Sequence, residues 1–128
     1  MSNILSNRIK TPDGTILQSF NRHDYKTYDD ANGQTYMVDG GLDYLRRTLN
    51  PDAPATDMTV YDTDTHDVIR EAFCWGTRGP LGGQPLKYVP LCNLDETHIQ
   101  AILATQTQIP DYIRNQFVNE LEFRRNKS

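Results

Sequence analysis

The chain has little with which to staple itself, cross a membrane or hold a metal. Of its 128 residues two are cysteine, three are histidine and one is tryptophan. Cys74 and Cys92 stand well apart in the sequence with no signal peptide ahead of them, so the economical reading is a pair of reduced, partly buried thiols, a disulfide being the alternative. His23, His66 and His98 are scattered and none lies at zinc-ligand spacing from a cysteine. They read as polar-surface histidines, and no metal or other cofactor is expected. No uninterrupted apolar run approaches the roughly twenty residues of a membrane span, which points to a soluble, cytoplasmic protein with no membrane partner. Lysine and arginine (13) are outnumbered by aspartate and glutamate (17), leaving a net charge of −4. A nucleic-acid polymer is a poor partner for such a chain, because neutralising its phosphates takes a concentrated basic face. A small anionic ligand needs only a few local arginines.

Apolar residues are also scarce. A hydrophobic fraction of 37% and a mean hydropathy of −0.68 leave a thin core for a single domain spanning residues 1–128, so buried contacts between copies would help. Signatures of catalysis are missing too. There is no GxSxG motif, and Cys74 sits beside Trp75 at the expected end of a helix, not at a helix start that would lower its pKa. Glycines from Gly76 to Gly83 lack both the Gly-Lys-Ser/Thr ending of a phosphate loop and the strand-to-helix setting of a dinucleotide fingerprint. Asp62, Asp64 and Asp67 lack the glycine and the final glutamate of a calcium loop, and read as a solvated helix cap.

What is present is concentrated in residues 20–47, FNRHDYKTYDDANGQTYMVDGGLDYLRR. Two alternating runs, 25–28 and 34–38, flank an Asp-Asp-Ala-Asn-Gly connection, which predicts a hairpin with a longer loop. Gly40 and Gly41 predict a sharp bend or close backbone approach, followed by LDYLRR with Arg46 and Arg47 exposed. Residues 15–20 alternate as a strand expected to form a three-stranded meander with this hairpin, after a Pro12-Asp13-Gly14 turn. Residues 1–12 read as a short pairing strand or an ordered arm, 48–57 as a surface loop, and 58–61 as another strand. Further on, a helix near 64–74 carries Val68, Ile69, Ala72 and Phe73 on one face, with capping candidates among residues 62–65. Residues 75–85 are rich enough in glycine and proline to be a loop with Trp75 at its base and Arg78 projecting. Residues 86–91 form the last strand, at an edge because of Pro90. Helices follow near 95–105 and 110–125, with Pro110 opening the second and Arg124, Arg125 and Lys127 complementing its dipole. Strands first and helices last imply an α+β fold, an antiparallel β-sheet meander with C-terminal helices packed on it.

The Arg22-His23-Asp24 triplet holds an acid, a base and a cation, yet neighbouring strand residues point to opposite faces. It reads as a hydrogen-bonded cluster at a strand end, tying the hairpin to Asp39 or Asp43. A binding chemistry is better supplied elsewhere. Phe20 and Trp75 offer faces on which a purine stacks, Asn21 both donates and accepts toward a base edge, and Arg47, Arg78 and Arg114 can fork onto phosphate oxygens. Ordinary core packing competes for the aromatics, more for Phe73 and Phe117 on their helical stripes than for the two beside loops.

RHDY, a variable hairpin and VDGGLDYLRR, followed by WGTRGPLGGQPLKYVPL, ETHIQAIL and PDYIRN, together resemble small proteins of tailed bacteriophages over most of the chain. The size, the order of elements and the Phe20-Asn21 pair are similar to the anti-Thoeris sponge family, which sequesters the cyclic ADP-ribose signal of a bacterial immune system. That resemblance implies an anti-defence protein in the cytoplasm of the infected host, a non-enzyme binding a cyclic nucleotide of the cyclic ADP-ribose or cyclic oligonucleotide kind. It implies a homo-oligomer with pockets shared between protomers, and it carries Phe20 and Asn21 into the pocket. Trp75, Arg78, Arg114 and Arg47 enter on their chemistry alone. The alternatives are a nuclease or phosphodiesterase using His23 or His98 as general base, and a protein-binding inhibitor of a host enzyme.

Overall fold

The computed structural model describes residues 2–48, 50–79 and 82–127, the last without its side chain. The expected contribution of Lys127 to the final helix end, and the parts of the expected loops at 49, 80 and 81, lie outside the described residues. The fold is α+β, every strand pairing is antiparallel, and the chain divides into two compact units, residues 1–62 and 63–128.

In the first unit, β1 (Ile4–Lys10) turns through residues 11–15 into β2 (Ile16–Ser19), with the Thr11 amide donating to the Thr15 carbonyl at 2.8 Å and Gly14 at φ 96°. β3 (Lys26–Asp29) and β4 (Thr35–Asp39) form the expected hairpin in the register Lys26↔Val38 to Asp29↔Thr35. β5 (Arg46–Arg47) adds to the other edge of β4, so the bend at Gly40 and Gly41 leads into a third strand. Within the expected surface loop, β6 (Thr56–Asp57) pairs with the end of β1; β7 (Val60–Tyr61), in the expected strand 58–61, pairs with its beginning.

The expected meander is therefore corrected. Residues 16–19 pair with β1 and belong to a different sheet from the hairpin, because the Pro12-Asp13-Gly14 turn folds them straight back onto the strand before it. The N-terminal stretch is the central strand of that sheet. Leu5 and Ile9 of β1 are buried, and so are Ser6 and Asn7, whose polar atoms are satisfied. Ser6 Oγ accepts from Gln18 Nε2 at 3.0 Å, and Asn7 Nδ2 donates to the carbonyls of Asp39 (2.9 Å) and Tyr44 (3.2 Å). Ile9 packs with Tyr36 and Val38 of β4, the two inward positions of that strand, together with Leu17 and Ala55. The Tyr36 hydroxyl donates to the Ala53 carbonyl and pins the loop over this cluster.

The second unit begins with α1 (His66–Ala72), preceded by Thr65 at the N-cap position without a side-chain capping bond. Ile69, Ala72 and Phe73 are buried, but Val68 is exposed, correcting its expected place on the inner face. The buried stripe runs i, i+3, i+4 through Ile69, Ala72 and Phe73, and Val68, about 100° round the helix from Ile69 at its centre, falls outside it. β8 (Cys74–Thr77) and β9 (Lys87–Pro90) form a two-stranded ribbon. The first part of the expected 75–85 loop is thus a strand, and the last strand pairs with it. After a 3-10 turn at Leu91–Asn93 come α2 (Glu96–Thr105) and α3 (Asp111–Lys127), close to the expected spans. Phe117 is fully buried, with its ring edge-on to Phe73 at 5.9 Å and to Trp75 at 5.2 Å.

Candidate functional site

Cross-strand pairing decides which residues of the ribbon share a face. Trp75 lies opposite Val89 and Thr77 opposite Lys87, so these four project to one side, while Gly76 and Tyr88 take the other. α2 supplies a second wall through His98, Ala101, Ile102 and Thr105, spaced so that they share one helical face. Between ribbon and helix lies a groove of about 1160 Å³. Described residues of the segment after β8, among them Arg78, Gly79, Gly82 and Gln84, border it. Gly79 (φ +88°) and Gly82 (φ +75°) adopt left-handed backbone, the Gln84 amide donates to the Arg78 carbonyl at 2.9 Å, and the Gly79 amide donates to Thr77 Oγ1 at 3.2 Å.

Four ionisable side chains border this groove: Arg78, Lys87, Asp95 and His98. Arg78 and Lys87 are exposed, and among the described residues no carboxylate forms an ion pair with either. The groove thus combines one indole, two available cations and an ample polar rim. Such a surface can hold an anionic ligand with a flat ring, the cations meeting phosphate oxygens and the aromatic wall meeting a base.

Of the six residues expected to bind ligand, Trp75 and Arg78 come together in this groove. Arg114 does not line it. Its Nη1 donates to the Leu103 carbonyl at 3.2 Å, tying α3 to the end of α2. Phe20, Asn21 and Arg47 belong to the first unit. The half-buried Phe20 ring lies beneath the Lys26 ammonium, 4.7 Å from its centroid, and the Phe20 amide donates to Asp24 Oδ2 at 2.8 Å. Asn21 Oδ1 accepts from the His23 amide at 3.2 Å. In the triplet after it, Asp24 also takes Lys26 Nζ at 2.9 Å, while the exposed Arg22 reaches the expected Asp43 only at 4.0 Å, beyond hydrogen-bond distance.

Arg47 corrects its expected exposure. Its side chain is only 16% accessible and is spent on internal bonds, with Nη1 donating to Asp57 Oδ1 at 2.8 Å and Nη2 to Asn7 Oδ1 at 3.0 Å and to Thr59 Oγ1. It joins β5 to β1 and to the strand after the loop. Partial burial raises the pKa of Asp57, but hydrogen bonds from Arg47 and Thr59 outweigh it and bring the carboxyl down to about 2.

The largest charged feature of the second unit was not foreseen. Glu120 is fully buried in α3, and its carboxylate is fully engaged. Oε1 takes His66 Nε2 at 2.8 Å and Arg70 Nε at 2.9 Å; Oε2 takes Arg70 Nη2 at 2.8 Å and Arg124 Nε at 2.7 Å. Arg124 Nη2 also reaches the Leu91 carbonyl at 3.2 Å, and Arg70 lies 4.4 Å from the centroid of Phe123. Burial pushes the Glu120 pKa up, but the bonds from Arg70, Arg124 and His66 prevail and hold it at about 2. Only the Glu120–Arg124 pair, at i and i+4, carried a signal in the sequence. Lys87, Asp95 and His98 carried none as groove residues, because their convergence depends on how the ribbon meets α2.

Among the described residues, no three His, Cys, Asp or Glu side chains are grouped to hold a metal ion, and no helix is long and apolar enough to cross a membrane. Neither Cys74 nor Cys92 is in a disulfide, and the Cys74 thiol donates to the Ala72 carbonyl at 3.6 Å. The sequence matches no protein-family model, and searches of curated proteins and of solved structures return no match either.

Proposed function

We propose that this protein binds a cyclic nucleotide signal of a bacterial immune system and sequesters it without cleaving it, as a phage anti-defence sponge in the cytoplasm of the infected cell. The observation that carries the reading is the groove of the second unit, where the Trp75 indole borders one space with Arg78 and Lys87, two cations that form no ion pair among the described residues. The likeness of the size, the order of elements and the Phe20-Asn21 pair to the sponge family supports the same ligand class, with cyclic ADP-ribose as the first candidate. Phosphate oxygens meet Arg78 and Lys87, and the base lies along Trp75. A homo-oligomer is part of this proposal, the thin apolar composition making a further buried surface useful.

A second reading, a phosphodiesterase, has one observation in its favour: His98 lines the same groove. One experiment separates the two. The protein is incubated with cyclic ADP-ribose, freed of unbound ligand and heat-denatured, and the released small molecule is weighed by mass spectrometry. Intact ligand is the expected result. A cleaved product establishes the enzyme, and no retained ligand removes cyclic ADP-ribose from the groove. Arg78→Ala is expected to weaken retention by about 2 kcal/mol, the effect of losing a hydrogen bond to a charged group.

A further inference from the structure

We infer that the groove selects ligands whose negative charge is gathered at one end, and that Asp95 is the residue that enforces the choice by facing the ligand's uncharged end. The inference rests on the nucleotide reading above and goes beyond it to specificity. Connectivity sets the polarity. Lys87 pairs with Thr77 at the far end of the ribbon, and Arg78 follows Thr77 there. The near end is the Cys74↔Pro90 pair, three residues along β9 from Lys87, or about 10 Å at the rise of an extended strand. From Pro90 a three-residue 3-10 turn and the buried Leu94 lead to Asp95, the N-cap residue of α2. Asp95 and Lys87 both border the groove but are attached to opposite ends of β9.

The carboxylate of Asp95 is not consumed by the helix it opens. It makes no side-chain capping bond, it is exposed, and among the described residues it forms no ion pair. His98 stands one helical turn further on, on the same face. This end of the groove therefore sets the full negative charge and acceptor oxygens of Asp95 beside the first-turn amides of α2, whose partial positive charge offsets only part of it. A carboxylate accepts well from the hydroxyls of a ribose diol or from an exocyclic amine, and it repels a phosphate. A nucleotide with its phosphates together suits both ends at once. One with phosphates on opposite sides of the sugar sets an anion against Asp95.

The test compares two probes by titration calorimetry in EDTA, so that no divalent cation bridges carboxylate and phosphate. ADP carries its charge at one end, and adenosine 3′,5′-bisphosphate carries it at both. The natural protein is expected to prefer ADP. Asp95→Asn, which keeps a good N-cap residue and so spares the helix, is expected to tighten the bisphosphate by about fourfold relative to ADP, the effect of removing like charges about 5 Å apart in water. If the ratio between the probes is the same in Asp95→Asn while Arg78→Ala weakens both, the Asp95 inference falls and the nucleotide reading stands. If neither probe binds the natural protein, the selectivity inference falls, and retention of cyclic ADP-ribose alone decides the nucleotide reading.

Discussion

At Gly40 and Gly41 the backbone does what a side chain would forbid. Their φ angles are +102° and +54°, and a Cβ on Gly40 would overlap the Tyr44 carbonyl oxygen, while one on Gly41 would overlap the backbone of Asn21. The Gly41 amide also donates to the buried Ser19 hydroxyl at 2.9 Å, which leaves the chain no room to retreat. Gly40→Ala and Gly41→Ala are each expected to destabilise the protein by about 1–3 kcal/mol, through strain in the left-handed region and lost contacts. Urea unfolding measures it as a lower midpoint at unchanged slope, and a midpoint equal to that of the natural protein would contradict it. Gly14, with nothing within 4 Å of its absent Cβ, is the control in which only the φ penalty of its own +96° remains.

Beside the apolar contacts, a few polar side chains tie neighbouring elements to one another. Asp13 in the first hairpin turn accepts from Thr15 and Tyr28 side chains and the Ala31 amide, and the two hydroxyls lead in holding its carboxyl well below the usual range. It thereby joins the β1–β2 turn to the β3–β4 turn. Arg114 does the same for two helices by reaching the Leu103 carbonyl near the end of α2, where backbone oxygens have no helical donor. Arg114→Ala is expected to cost about 1 kcal/mol of stability, the net worth of such a bond. Calorimetric melting reads the loss, and with nucleotide affinity unchanged it confirms a tie between helices; a weakened affinity with unchanged melting would return Arg114 to the binding site.

For the molecule as a whole, acid should be the sharpest test of what holds it together. Glu120 is held at about 2 against an ordinary 4.5, so the stability it contributes is fully present above pH 4.5 and is lost as pH falls through 2. The size is roughly 3 kcal/mol, from the shift between the two values. Glu120→Gln removes this dependence and also leaves Arg70 and Arg124 without their shared anion, so it is expected to destabilise the protein at neutral pH by about 3–5 kcal/mol. Circular dichroism melts from pH 7 to pH 2 give both numbers; a variant as stable as the natural protein would show that the cluster is dispensable. Asp57, also held at about 2, retains a smaller slope in the same window because its side chain is 65% exposed. Light scattering is expected to return at least a dimer, and a monomer that retains ligand would remove shared pockets from the proposal.

Local chemistry was determined by the sequence itself. The β3–β4 hairpin, the bend at Gly40 and Gly41, the three helices and the antiparallel α+β class were all legible, because turn residues, apolar spacing and helix-starting signals act within a few positions of themselves. Pairing was not. Residues 16–19 and 87–90 were recognisable as strands, yet their partners depended on which neighbour the chain met first, and β1 and β8 were those neighbours. The same limit governed the charged residues. Arg47 became an internal brace because β5 brought it against Asn7 and Asp57, and Glu120 became the centre of a buried cluster because α1 and α3 put His66 and Arg70 beside it. Trp75 and Arg78 could be singled out by residue type. That Lys87, Asp95 and His98 share their groove was decided only by the tertiary structure, since a strand fixes which face a side chain takes but only packing fixes what that face looks upon.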